Sequence, residues 1–222
     1  MNETASSSAH TKKGRKPRYS RETIVQTAIT LADEHGLQAV TMARVAAGIG
    51  CTPMALYSHV ENHDALLRAM ADQVLAELDF RCAGPDWEAD LRQWLRVLWQ
   101  ASQKRHWLVE VILVNERITL QWLKFNEQLV AILEAAGMKP QQVAESLIMI
   151  GCVAVSAIFQ VTKFPLPRSG VVVDGLEGVL QQQLNLSLWA QLLPHLAAQS
   201  NDSFLTEIED WILLGVKSKL NR

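Results

Sequence analysis

The sequence predicts an all-α chain: a three-helix N-terminal domain built on a helix-turn-helix, joined by a helix to a larger all-helical domain. Three observations carry this. Thr41 to Val60 spells two short helices around a glycine turn. From Asp86 onward, apolar residues recur at helical spacing in long segments divided by glycine and proline. Ahead of the first helix, Lys12, Lys13, Arg15, Lys16, Arg18 and Arg21 crowd a segment with no acid until Glu22. The expected division is a disordered basic arm over 1–18, the helix-turn-helix domain over 19–66, a connecting helix over 67–84, and the helical domain over 85–222.

Ser20 to His35 carries Ile24, Ala28, Leu31 and Ala32 on one side and stops at Gly36, an amphipathic helix with a glycine C-cap. Thr41 caps the next helix with its hydroxyl, and Gly50 supplies the positive φ of a tight inter-helix turn. Thr52 caps a second helix with Pro53 at its first position, where the missing N–H costs nothing. Val45, Ile49, Leu56 and Val60 turn inward, leaving Arg44, Met54, Ala55, Tyr57, Ser58 and His59 as outward candidates. An α-helix fits the major groove of duplex DNA with its N-terminal residues at the base edges, so the second helix is the natural reader. Met54 and Ala55 suit thymine methyl groups, Tyr57 and His59 suit phosphates, and Thr52 and Ser58 suit either. Asn62 caps a fourth helix, with Asp64 in its first turn and apolar residues on one side to about Phe80.

Arg81 to Pro85 breaks that helix. Helices are expected over Asp86–Arg105, over the apolar run Trp107–Val114, over Thr119–Ala136 stopped by Gly137, and from Pro140 to about Lys163. Phe164 to Gly170 ends regular structure, and the glycine- and valine-rich stretch to Val179 reads as a loop. Two last helices follow, about Leu186–Gln199 and Asp202–Leu220.

The stretch Leu37-Gln38-Ala39-Val40-Thr41, with Val45-Ala46, Gly50, Ala55-Leu56-Tyr57-Ser58-His59-Val60 and Asn62-His63-Asp64-Ala65-Leu66, resembles the DNA-binding pattern of the TetR family of one-component transcriptional regulators. The match covers roughly Tyr19 to Leu67. More loosely, His106-Trp107-Leu108, Ala135 to Pro140 and Phe204 to Gly215 resemble the C-terminal domain of the tetracycline-repressor branch. The resemblance implies an all-helical homodimer that binds a palindromic double-stranded DNA operator and is released when a small-molecule effector enters the C-terminal domain. Its DNA-contacting positions would be Thr41, Met42, Ala43, Thr52, Pro53, Met54, Ala55, Tyr57, Ser58, His59 and His63. Met42 and Ala43 stand where the tetracycline-repressor branch has polar residues, so the operator should differ. His63 stands where members commonly carry a lysine to a phosphate, which implies a weaker contact that depends on pH.

Two features of the second domain bear on function. The Gln141 helix places Leu147, Gly151, Ala154 and Ile158 together, and the last helix carries Phe204, Ile208, Trp211 and Gly215 in a stripe. Either stripe suits internal core or a four-helix interface between two copies, and the resemblance favours the interface. Trp94, Trp107 and Trp122 fall in helices that by resemblance surround an effector cavity, with Glu110 and Asn115 as orienting groups. A tryptophan at helical spacing equally suits core.

Composition excludes several classes. Net charge is −2 and hydrophobic content 49% over 222 residues, ample for a core without staples. Cys51, Cys82 and Cys152 form neither a disulfide framework nor a metal site and read as small buried apolar residues. Met1 to His10 lacks the apolar core of a signal peptide, so a reducing cytoplasm is expected. Leu147 to Phe159 is too short and broken to span a bilayer, and Gly14 and Pro17 rule out an amphipathic membrane helix in the basic arm. The six histidines show no metal spacing, and neither a nucleophile elbow nor a phosphate loop is present, so no enzyme, cofactor or metal is expected. The alternative function is an architectural or recruitment protein whose C-terminal domain binds a protein partner.

Overall fold

The computed structural model describes residues 19–82, 84–114, 119–164, 191, 192, 194, 195 and 198–221, and every regular element among them is helical. The helices are α1 (Arg21–His35), α2 (Met42–Ile49), α3 (Pro53–Leu56), α4 (His63–Ala76), α5 (Trp87–Lys104), α6 (Leu108–Val114), α7 (Leu120–Ala135), α8 (Pro140–Lys163) and α9 (Asn201–Leu220), with a 3₁₀ turn at Leu37–Ala39. The expected arm over 1–18, most of the helix at 186–199 and the stretch 165–179 lie outside the described residues.

Helix starts follow the side chains that can satisfy the free N–H groups of a first turn. Ser20 Oγ accepts from Thr23 N at 3.2 Å, Thr41 Oγ1 from Arg44 N at 3.2 Å, and Asn62 Oδ1 from Ala65 N at 2.8 Å. Asp86 Oδ1 accepts from Ala89 N at 3.1 Å and Thr119 Oγ1 from Trp122 N at 3.2 Å. Thr52 occupies the cap position of α3, but its hydroxyl makes no capping bond; Pro53 at the first position sets that start alone. Gly50 sits at φ 76°, ψ 41°, the left-handed conformation that lets α2 end and α3 begin at once.

Two elements are shorter than their apolar patterns predict. α3 is one turn, with Tyr57, Ser58 and His59 in the turn that follows. α4 ends at Ala76 rather than near Phe80, so 67–84 is not one continuous helix. Its end tightens, Glu77 N bonding Val74 O and Leu78 N bonding Leu75 O. Leu78 and Phe80 still pack inward from non-helical backbone, which is why their spacing mimicked a helix.

Two cores result. One is built from α1 to α4 and includes Ala101, Trp107, Leu108 and Val111 from the end of α5 and from α6. The other joins α5, α7, α8 and α9 around Leu91, Trp94, Leu98, Leu129, Ile132 and Leu133. Leu78 and Ile112 pack against both, and α6 divides between them, with Leu108 and Val111 in the N-terminal core and Val109 in the other.

The α1–α2 crossing depends on Gly48, where an added Cβ would lie 2.9 Å from Thr27 Cγ2. Thr27 is held by its hydroxyl bond to Thr23 O at 2.8 Å. Glycine-to-alanine in an open helix stabilises by about 1 kcal/mol. Here Gly48→Ala is expected to destabilise by about 1 kcal/mol through overpacking, and to become stabilising in a Thr27→Ala background. Urea unfolding of the four variants reads the sign; a stabilised Gly48→Ala single variant overturns the account.

Candidate nucleic-acid interface

The α2–α3 unit presents a small outward surface. Thr41, Ala43, Arg44, Thr52, Pro53, Met54, Tyr57 and Ser58 are exposed, and Ala55 and His59 are half-buried. Met54 is 79% exposed, a large apolar side chain that no core claims. Behind this surface Val45, Leu56 and Val60 are buried as their spacing requires. Met42 departs from expectation. It lies in the N-terminal core beside Val45 and Ala46, because positions i, i+3 and i+4 share a helix face, and that face is inward. Buried there, its side chain does not face outward with the other candidate contacts.

His63 is also committed within the domain. Its Nε2 lies 2.7 Å from the Val40 carbonyl, tying the first residue of α4 to the residue before the α2 cap, and its Nδ1 lies 3.9 Å from the Asp64 carboxylate. Only one ring nitrogen is therefore left to face a phosphate. Ser58 Oγ donates to Ala55 O at 2.7 Å, which leaves its lone pairs free. Tyr19, which no sequence motif singles out, adjoins this surface. Its ring meets His59 edge-on, with centroids 5.6 Å apart, so Tyr19 packs beside the outward surface of the motif.

In the C-terminal domain the structure separates the proposed effector residues. Trp94 is fully buried, stacked on Phe125 at 4.9 Å and donating its indole N–H to Phe125 O at 3.2 Å. Trp122, half-buried, stacks on the same ring at 6.1 Å. Trp107 lies in the N-terminal core with its indole N–H bonded to Asp33, and Glu110 pairs with Lys163 at the end of α8. Asn115 falls outside the described residues.

The expected interface stripe needs a larger correction. Ala154 and Ile158 are buried inside the protomer, and Leu147, Gly151 and Ile208 are half-buried. The outward face holds Ile148, Met149 and Cys152 of α8 with Trp211 and Leu214 of α9. Because α8 is apolar nearly all round, its sequence offers two stripes, and the small residues mark the inner one. Cys152 is thus exposed, unlike the expected buried cysteine. Cys82 is held as a thiol, pushed up to about 11 by burial and by donating to Asp90 Oδ2 at 3.0 Å.

By length and composition, α8 is also a helix able to cross a membrane, with 39% of its most apolar window buried. Four other helices pack against it, and its remaining apolar surface is continuous with that of α9. The α9 face is held in place from behind. Arg92 and Arg96 of α5 bind Glu209 at 3.0–3.1 Å, and Arg92 also binds Asp210. The two carboxylates, Asp210 foremost, raise the Arg92 guanidinium above its ordinary value.

A glycine-jointed helix pair with an outward second helix, set on a helical body, defines a helix-turn-helix protein of the all-α class. Residues 24–70 match the profile of the bacterial regulatory proteins of the tetR family, so the N-terminal domain is similar to theirs. The chain is 26% identical over 147 residues, 65% of its length, to the HTH-type transcriptional repressor DrrR1 of Streptomyces coeruleorubidus. It is 35% identical over 78 residues, 34% of its length, to the class D tetracycline repressor protein of Escherichia coli. These matches span 54% and 36% of those two relatives. Its fold is similar to apo ActR of Streptomyces coelicolor, with a TM-score of 0.78 at 21% identity over 92% of this chain and 98% of that one. The similarity extends to ActR in complex with actinorhodin, with a TM-score of 0.75 at 21% identity over 90% and 96%.

Proposed function

We propose that this chain is a one-component transcriptional repressor that binds a palindromic operator as a homodimer and leaves it when a small molecule enters the helical domain. The carrying observation is the exposed edge formed by Thr52, Pro53, Met54 and Tyr57 on a domain similar to those of the tetR family, a polar and apolar surface that no core occupies. Thr41, Ala43, Thr52, Pro53, Met54, Ala55, Tyr57, Ser58 and His59 are the proposed contacts. His63 is a positioning residue first and a phosphate contact second. Two such edges must stand about 34–36 Å apart to enter successive major grooves, which calls for a second copy. Ile148, Met149, Trp211 and Leu214 are the proposed interface.

The effector reading is supported by ActR, a protein of the same fold solved with actinorhodin. In this chain the partly buried Trp122 beside Phe125 offers an aromatic wall for a flat apolar molecule. The test is fluorescence-anisotropy binding to the DNA flanking the chain's own gene against a shuffled duplex, at two salt concentrations. Preferential binding, reversed by a compound from an effector screen, supports the repressor; equal and wholly salt-driven binding favours the architectural alternative.

The basic arm is proposed to follow the DNA backbone or its minor groove. Each phosphate it neutralises adds about −0.9 to the log–log salt slope. Deleting residues 1–17 is therefore expected to flatten that slope by about 2 or more per dimer. An unchanged slope shows that the arm makes no contact.

A further inference from the structure

The ends of α1, α4 and α5 meet around one carboxylate. Trp107 Nε1 donates to Asp33 Oδ1 at 2.7 Å, and Arg105 Nε lies 3.6 Å from Asp33 Oδ2. The same guanidinium reaches Glu77 just past α4, with Nη1 3.5 Å from Oε2. The indole bond is the short contact, and its acceptor is a carboxylate oxygen, which strengthens it. Trp107 is 4% exposed, so water does not compete for its N–H. The Arg105 contacts are longer than hydrogen bonds, but that side chain is only 16% exposed and its charge is poorly screened.

The position of this cluster matters more than its strength. Asp33 lies in the last turn of α1, and Trp107 enters α6, which is tied at its other side to α8 through Glu110 and Lys163. The cluster is thus a polar tie between the helix-turn-helix domain and the helical body. The opposite end of α1 begins beside Tyr19, whose ring touches His59 at the outward surface of the motif. A helix of 15 residues is about 22 Å long. A tilt of about 10° at Asp33 moves its far end by about 4 Å, roughly the 3.4 Å rise of one base pair.

We infer that Asp33 is a positioning residue of operator recognition: by accepting the Trp107 indole N–H it fixes the tilt of each reading domain, and so the half-site spacing that the dimer accepts. This rests on the proposed dimeric repressor. The DNA contacts themselves are made elsewhere, so loss of the tie should relax spacing selectivity and not base preference.

The experiment uses the full-length chain. A palindrome is selected by the wild type from a random duplex pool, and dissociation constants are measured on it and on duplexes with one base pair added or removed at the centre. The wild type is expected to bind the respaced duplexes at least about tenfold more weakly, the order of one mismatched base pair. That ratio is expected to fall below about threefold in Asp33→Ala and Trp107→Phe, and to persist in Asp33→Asn, whose amide oxygen still accepts from the indole.

An Asp33→Ala variant that stays helical and dimeric and keeps the wild-type ratio overturns the inference, even if it binds every duplex more weakly. Asp33→Asn behaving like Asp33→Ala overturns the role given to the indole bond. If Asp33→Ala fails to fold, Trp107→Phe decides alone. If the wild type selects no palindrome, it is the repressor reading that fails. The tie is then judged by amide exchange in the last turn of α1, expected at least about tenfold faster in Trp107→Phe, and unchanged exchange overturns it.

Discussion

Trp211→Glu is expected to convert the proposed homodimer to monomers and to weaken operator binding by about two to four orders of magnitude. Trp211 is 73% exposed, and Leu214, Ile148 and Met149 are 58–69% exposed, on two helices packed side by side. Apolar side chains of this size, left together in water, mark a surface that another surface covers. A two-fold axis brings Trp211 and its symmetry mate into one interface, so a single substitution acts twice. A truncated aromatic anchor costs about 2 kcal/mol or more, and an unpaired buried carboxylate adds to that. Two copies together exceed about 4 kcal/mol, a thousandfold in the dimer dissociation constant. Each monomer retains its own reading surface, so what disappears is the simultaneous hold on two half-sites. Sedimentation velocity at micromolar concentration and anisotropy on the selected operator measure the two effects. A variant that sediments with the wild type sinks the assigned face. Arg92, Arg96 and Glu209 lie behind Trp211 and remain bonded, so helicity is expected to persist.

The fold was legible where a residue type has one local use. Thr41 and Asn62 cap helices as their side-chain oxygens predict, because a free N–H in a first turn has few other partners, whereas Thr52, expected to do the same, leaves its helix start to Pro53. Gly50 and Pro53 set the joint of the motif for similar reasons. Legibility failed where apolar spacing had more than one explanation. Leu78 and Phe80 continue the α4 stripe in sequence but reach the core from a tightened turn. Met42 begins a helix at the candidate DNA surface, yet its own first-turn neighbours Val45 and Ala46 draw it inward. On α8, small residues suggested close approach of a partner helix. Ala154 instead lets α8 approach its neighbours within the protomer, and the outer stripe carries the bulky residues. Trp107 was legible only as an aromatic at helical spacing, since its partner Asp33 is 74 positions away and no local pattern links them.

The tryptophans of the helical domain divide by what their indoles already hold, and this predicts opposite outcomes for two substitutions. Trp94→Ala is expected to destabilise the chain by about 3–5 kcal/mol, the range for a fully buried large aromatic. It removes the stack on Phe125 and the indole bond to the Phe125 carbonyl, which keeps its own partner within α7. For a chain of this size the loss corresponds to a fall in Tm of roughly 6–20 °C. Trp94→Phe keeps most of the buried area and is expected to cost less than half as much. Trp122 presents part of its ring to solvent and stacks on the same Phe125 from further away. Trp122→Ala should therefore alter stability little while weakening effector-driven release from DNA, because a pocket wall contributes to binding what a core residue contributes to folding. Thermal unfolding read beside release by a screened effector separates the two. A Trp122 variant that unfolds as early as Trp94→Ala assigns both rings to the core, and the pocket must then be sought away from this aromatic cluster.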